Sequence, residues 1–163
     1  VNVITADQIH KVCLSTAKTL GQDGMESSLF VGDYDYACMA EDGLRRFGER
    51  FSNFLFSSGL NTYAEERNDC DDYALHAASF AKIDHTKFYL GEEAVAFGIA
   101  WVVTDTMLHA VNAVIHLDES GQPYLHLCEP QNTWNDKKVI GKPYMTMREF
   151  PLSSVRRWQL LCF

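Results

Sequence analysis

The sequence has no long apolar run. Its longest, Ala94 to Val103, is about half the length a membrane-spanning helix needs. It has no CxxC pair. Its five cysteines, at 13, 38, 70, 128 and 162, are widely spaced, which disfavours a zinc knuckle and offers no regular disulfide framework. Positive charge is scarce: 14 Lys and Arg stand against 22 Asp and Glu, a net charge of -8. That balance repels a nucleic-acid backbone, and Lys137-Lys138 and Arg156-Arg157 are too short to form a basic patch. There are no internal repeats, low-complexity tracts or linkers, and no basic-then-apolar signal opens the chain.

These absences predict one α+β domain over residues 1–163, with no nucleic-acid or membrane partner, and leave its oligomeric state open. With 47% hydrophobic residues the chain is large enough for a core without disulfide staples. An odd cysteine count suits a reducing compartment, so the expected location is cytoplasmic. The absence of an initial Met leaves room for a processed fragment.

Helical periodicity comes first. Thr5 or Asp7 is placed to cap a helix running to about Leu20, with Ile9, Val12 or Cys13, Ala17 and Leu20 along one side and Gly21 and Gly24 ending it. Residues 29–37 fit either a short strand or a turn-rich loop. A second helix, from about Cys38 to Phe56, carries Leu44, Phe47, Phe51, Phe54 and Leu55 at three- and four-residue spacing. In the stretch ERNDCDDYAL, Asp69 is a candidate N-cap for a third helix from Cys70 to about Ala81, with Asp72 placed to reach back to the cap. Its alanine-rich run ALHAASFA permits close packing against neighbouring backbone. Strands are expected near Phe97–Thr104, His109–Leu117, Tyr124–Glu129 and Val155–Phe163. Helices first and strands afterwards point to helices packed on an antiparallel sheet.

Cys70 raises the chemical question, because three carboxylates surround a residue whose reactivity needs a lowered pKa. A cysteine nucleophile requires a general base, and the base requires an orienting group. With a hairpin loop at Asp118–Ser120, residues 117 and 121 face each other and His109 falls directly across from Glu129. Both then share a face with Val111, Ala113, Ile115, Leu125 and Leu127. The plainer reading is a partly buried histidine and a strand-end carboxylate. His116 and His126 alternate to the other side, and Asn112 is off the His109 face. Asp72 and His76 read as a helix side-chain pair. Cys13, Cys38, Cys128 and Cys162 read as core thiols.

Asp69, Asp71 and Asp72 supply oxygens of the kind calcium accepts, although the spacing is not an EF-hand loop. The alternative is a cap and a solvated helix start. Trp134, in the loop QNTWND, is a candidate to line a substrate groove.

The segments NDCDDYALHAASFA, HAVNAVI and LCEPQN, in that order, resemble the papain-like and transglutaminase-like cysteine peptidase superfamily. They are especially similar to the small group using Cys, His and Glu, such as the protease domain of a mushroom agglutinin, and to phage proteins with a DCDD motif. The likeness covers roughly residues 44–163. It implies Cys70 as nucleophile, His109 as base and then acid, and Glu129 as orienter, with Asn132 in reserve. It also implies a candidate dependence on calcium and no other cofactor. Papain carries a glutamine before its cysteine as oxyanion donor. Here NTYAEERND has none, leaving the Cys70 backbone N–H with Asn68 or Asn61. The activity implied is cleavage of a peptide or isopeptide amide through a thioacyl intermediate, in the cytoplasm or in a host cytoplasm if phage-encoded. The alternative is a non-catalytic binding or structural protein that keeps the fold.

Overall fold

The computed structural model describes residues 2–60, 69–89, 91–131 and 147–163. The chain enters as a short strand, β1 (Val3–Thr5), and turns directly into α1 (Ala6–Thr19). Thr5 makes that turn. Its hydroxyl accepts from the Gln8 N–H at 3.3 Å while the Gln8 side chain accepts from the Thr5 N–H at 2.8 Å, a reciprocal capping box. Ile9, Cys13 and Ala17 form the buried stripe of α1, and burial pushes the Cys13 thiol up to about 12.

One turn of helix, α2 (Met25–Ser28), follows. The ambiguous stretch 29–37 resolves into two short strands, β2 (Leu29–Phe30) and β3 (Asp35–Ala37). The next helix, α3 (Glu41–Ser57), starts three residues later than its periodicity suggests. Residues 38–40 lie outside any helix instead, with Ala40 extended and the Cys38 N–H donating to the Asn2 carbonyl at 2.9 Å, and Glu41 and Asp42 place negative charge at the helix start. Leu44, Phe47, Phe51 and Leu55 are buried as their spacing implies.

The third long helix, α4 (Cys70–Phe88), runs well past Ala81, and His85 and Lys87 in its last turn suit the negative end of the helix. Strands β4 (Ala94–Val95), β5 (Phe97–Val103), β6 (Leu108–Leu117), β7 (Pro123–Glu129), β8 (Arg148–Glu149) and β9 (Arg157–Cys162) complete the described chain, with a 3-10 turn at Leu152–Ser154. None of its described helices is long and apolar enough to cross a membrane.

The main sheet has the order β2-β9-β5-β6-β7-β8, and a smaller one the order β1-β3-β4. The expectation of an antiparallel sheet is corrected here: β2 runs parallel to β9, and β3 parallel to β4. Both parallel pairs join segments separated by long crossovers, which parallel pairing requires. The long central strands, β5, β6 and β7, are antiparallel as expected.

The main sheet is covered on both faces. Val111, Ala113, Ile115, Leu125 and Leu127 pack with Ile9, Cys13 and Ala17 of α1. Val114, Cys128 and Phe97 face the other way, onto Phe47 and Phe51 of α3 and Ala77 and Ala81 of α4. The small side chains of α4 bring it close to the sheet. The buried Asn112 side chain donates to both the Ala74 carbonyl of α4 (2.9 Å) and the Gly98 carbonyl of β5 (3.0 Å). Gly98 permits an equally close approach on the other side, since a Cβ there would meet the Cys162 carbonyl oxygen at 1.9 Å.

The hairpin between β6 and β7 is wider than its sequence suggests. The turn spans Asp118–Gln122, with Leu117 opposite Pro123. Asp118 holds it open by accepting from the Ser120 N–H (2.8 Å), the Ser120 hydroxyl (2.7 Å) and the Gln122 N–H (2.9 Å), while Gly121 takes a positive φ of 82°. Asn112 therefore pairs with Cys128. Glu129 moves two positions off direct opposition to His109, and the even shift keeps both on one face.

Candidate functional site

The site begins at the α4 N-terminus. Asp69 caps the helix in a box with Asp72, whose carboxylate accepts from the Asp69 N–H at 3.3 Å. Cys70 is the first helical residue and is half-buried. Burial is the main influence on its thiol and raises its pKa. The Ala110 backbone N–H opposes that, and the charges of Asp69, Asp71 and Glu129 reinforce it. The carboxylates of ERNDCDDYAL therefore do act on the sulfur, in the direction that disfavours the thiolate.

Across the sheet, His109 Nε2 meets Glu129 Oε2 at 2.6 Å. The two are diagonal neighbours on adjacent strands, a span that long side chains bridge. The pair is enclosed, with side chains 12% and 10% exposed. The other Glu129 oxygen accepts from the Gln131 N–H at 2.9 Å, and the Phe150 ring lies 5.6 Å from the imidazole. Sequence reasoning missed both supports: Gln131 acts through its backbone, and Phe150 lies far along the chain.

The hydrolytic relay is corrected at this point. Among the described residues no hydrogen bond joins the Cys70 thiol to His109. Helix α4 packs over the face of β6 that carries Asn112 and Val114, whereas His109 shares the parity of Val111 and Ala113 on the opposite face. Among the described residues, then, no hydrogen-bonded Cys–His–Glu triad is assembled.

Asn61 and Asn68, the expected oxyanion donors, Asn132, the reserve orienter, and Trp134, the expected groove residue, lie outside the described residues.

The acidic cluster assembles in part. Ligand atoms of Asp69, Cys70 and Asp71 lie within 4.8 Å of one another. Asp71 titrates above its ordinary range, first because it shares a hydrogen bond with Asp69 and then because of its surroundings and the neighbouring charges. Calcium takes roughly six to eight oxygen ligands. Two carboxylates and a sulfur, with Asp72 drawn back into the cap, are an incomplete calcium set among the described residues.

The fold defines a class: an α+β protein of papain-like architecture, with N-terminal helices packed against a mixed sheet. The sequence matches no family model and no curated protein. Among solved structures it is similar to a PSL1a–E64 complex, with a TM-score of 0.67 and 16% identity over 99% of this chain and 51% of that one. It is also similar to Polyporus squamosus lectin bound to the human-type influenza-binding epitope Neu5Acα2-6Galβ1-4GlcNAc, with a TM-score of 0.64 and 17% identity over 99% of this chain and 50% of that one. The chain spans about half the length of the chains it matches. The resemblance to mushroom agglutinins therefore holds at the level of fold.

The comparisons give no support to the expected peptide or protein partner: the lectin of shared fold is bound to a sialylated sugar. The thiol-hydrolase description falls with the missing relay, and the likeness to phage proteins gains no support.

Proposed function

We propose that this chain is a non-catalytic binding protein that keeps a papain-like fold, and that its ligand is a carbohydrate. The observation that carries the first half is that, among the described residues, no hydrogen bond joins the Cys70 thiol, whose pKa burial raises, to the His109 imidazole, which Glu129 engages. A cysteine nucleophile works only when its base is within hydrogen-bonding reach. In this reading His109 and Glu129 pin the ends of β6 and β7 together, and Cys70 fills space between α4 and Ala110. The sugar-bound lectin of the same fold supports the second half.

The test measures binding of the wild-type chain and Cys70→Ala to immobilised Neu5Acα2-6Galβ1-4GlcNAc, alongside hydrolysis of a casein substrate by both. Equal glycan binding by the two proteins and no thiol-dependent cleavage are expected. Cleavage by the wild type that disappears in Cys70→Ala would overturn the non-catalytic reading. Failure of both proteins to bind sugar would overturn the carbohydrate reading.

A further inference from the structure

We propose that His116 and His126 are the core of a binding site for a zinc-like transition-metal ion, completed by the carboxylates of Glu41 and Glu149. The site lies apart from Cys70, which meets β6 at Ala110; six residues of strand from there to His116 span about 20 Å. It stands independently of the carbohydrate reading.

Register brings the two rings together. His116 pairs with Tyr124 and Val114 with His126, so the histidines are diagonal neighbours on one face of the β6–β7 hairpin. Their rings meet edge-on, with centroids 5.3 Å apart. This is the face of Val114 and Cys128, onto which α3 packs.

His116 is preset as a ligand. The residue is 1% exposed, and its Nδ1 meets the Met39 carbonyl. A carbonyl only accepts, so Nδ1 carries the proton and Nε2 presents a lone pair. That Nε2 is buried and has no hydrogen-bond partner among the described residues. A buried polar atom left unsatisfied is costly and rare, and a bound ion is one of the things that satisfies it. The arrangement is that of a metal-binding imidazole, in which one ring nitrogen donates to a backbone carbonyl and fixes the tautomer while the other ligates. His126 is half-buried, which leaves a route from solvent. Burial lowers the pKa of both rings, so both are neutral at pH 7 and able to ligate.

The carboxylates come from two further elements. Glu149 pairs with Cys128 across β7 and β8, which places it on the same face as His126 and diagonal to it. Glu41 opens α3, two residues beyond the Met39 carbonyl that holds His116. Both glutamates are exposed, both act on the charge of His126, and Glu41 acts on His116 as well. Among the described residues only Asp69, Cys70 and Asp71 already gather three ligand atoms. Here the imidazoles are in place, and the glutamates turn in from solvent to complete the set. Two imidazoles with one or two carboxylates suit four-coordinate zinc, and two negative charges match a divalent ion. Calcium and magnesium favour oxygen ligands, so the histidines select against them. Once bound, the ion ties the start of α3 to β6, β7 and β8.

Calorimetric titration with zinc at about pH 7.5, where the ligands are deprotonated, tests the site. The wild-type chain is expected to take up zinc, and His126→Gln is expected to weaken binding at least roughly tenfold. The double variant Glu41→Gln/Glu149→Gln is expected to weaken it by a similar factor. Asp71→Asn, which disrupts the acidic cluster at Cys70, is expected to bind like the wild type. Proton–nitrogen correlation spectra of the wild-type imidazoles locate the ion without any variant: zinc is expected to shift His116 Nε2 and leave Nδ1 protonated. No zinc uptake, undiminished affinity in His126→Gln, loss of binding in Asp71→Asn or an unmoved His116 Nε2 resonance would each overturn the site. Full affinity in the double variant would overturn the role of the carboxylates.

Discussion

Replacing His109 with alanine strands one oxygen of Glu129, because the carboxylate sits in a setting only a tenth exposed and has Gln131 as its other partner. Losing a charge-assisted hydrogen bond of this kind costs about 2 kcal/mol, which equilibrium urea denaturation of His109→Ala measures directly. The same variant separates a structural clamp from a catalytic base. Iodoacetamide is expected to label Cys70 no faster than Cys38 or Cys162 at neutral pH, and His109→Ala is expected to leave the Cys70 rate unchanged. A Cys70 rate roughly tenfold above the others that collapses in the variant would restore the relay. Cys38 is a useful standard, since burial pushes its thiol up to about 11.

At the level of elements, Gly98 lets β5 and β9 approach closely. Gly98→Ala places a methyl 1.9 Å from the Cys162 carbonyl oxygen and 2.8 Å from its carbon, both backbone atoms that cannot rotate away. The expected result is a loss of at least about 2 kcal/mol, with faster amide exchange at Ile99 and Leu161, where the two strands pair. Local signals made several elements legible: the Thr5–Gln8 and Asp69–Asp72 boxes start α1 and α4, and alternation outlines β5, β6 and β7. Strands of two or three residues, such as β2 and β4, were not legible as such. Each is too short to carry a period and exists because a distant segment pairs with it.

For the molecule as a whole, two histidines couple stability to pH. His116 is buried and donates from Nδ1 to the Met39 carbonyl, with the His126 ring edge-on at 5.3 Å. Burial lowers the pKa of both. The Met39 carbonyl partly offsets this at His116, where His126 adds a further lowering and Glu41 a smaller raising effect; Glu149 and Glu41 offset it at His126. A folded pKa below the unfolded value of 6.5 means that the unfolded chain takes up protons first as pH falls. The stabilisation is complete above that value and is lost as pH drops through the depressed folded values. Thermal denaturation between about pH 7 and about pH 5 is expected to show a falling midpoint, and His126→Gln is expected to flatten the fall. The variant comparison isolates the histidines, because the chain also approaches its pI of about 5.1 in that interval and its general charge repulsion relaxes.

Period and capping are short-range properties, so the order of elements, the buried stripes of α1 and α3 and the shared face of His109 and Glu129 were readable from the residues alone. The hairpin shows how far that reach extends. Parity along a strand survives a two-residue change of register, whereas the direct opposition of His109 and Glu129 depended on a turn that Asp118 and Gly121 widen. Whether Cys70 meets His109 was never a local matter. It depends on how α4 docks on β6, and packing decides that: the alanines of α4 and the phenylalanines of α3 bury themselves against Val114 and Cys128.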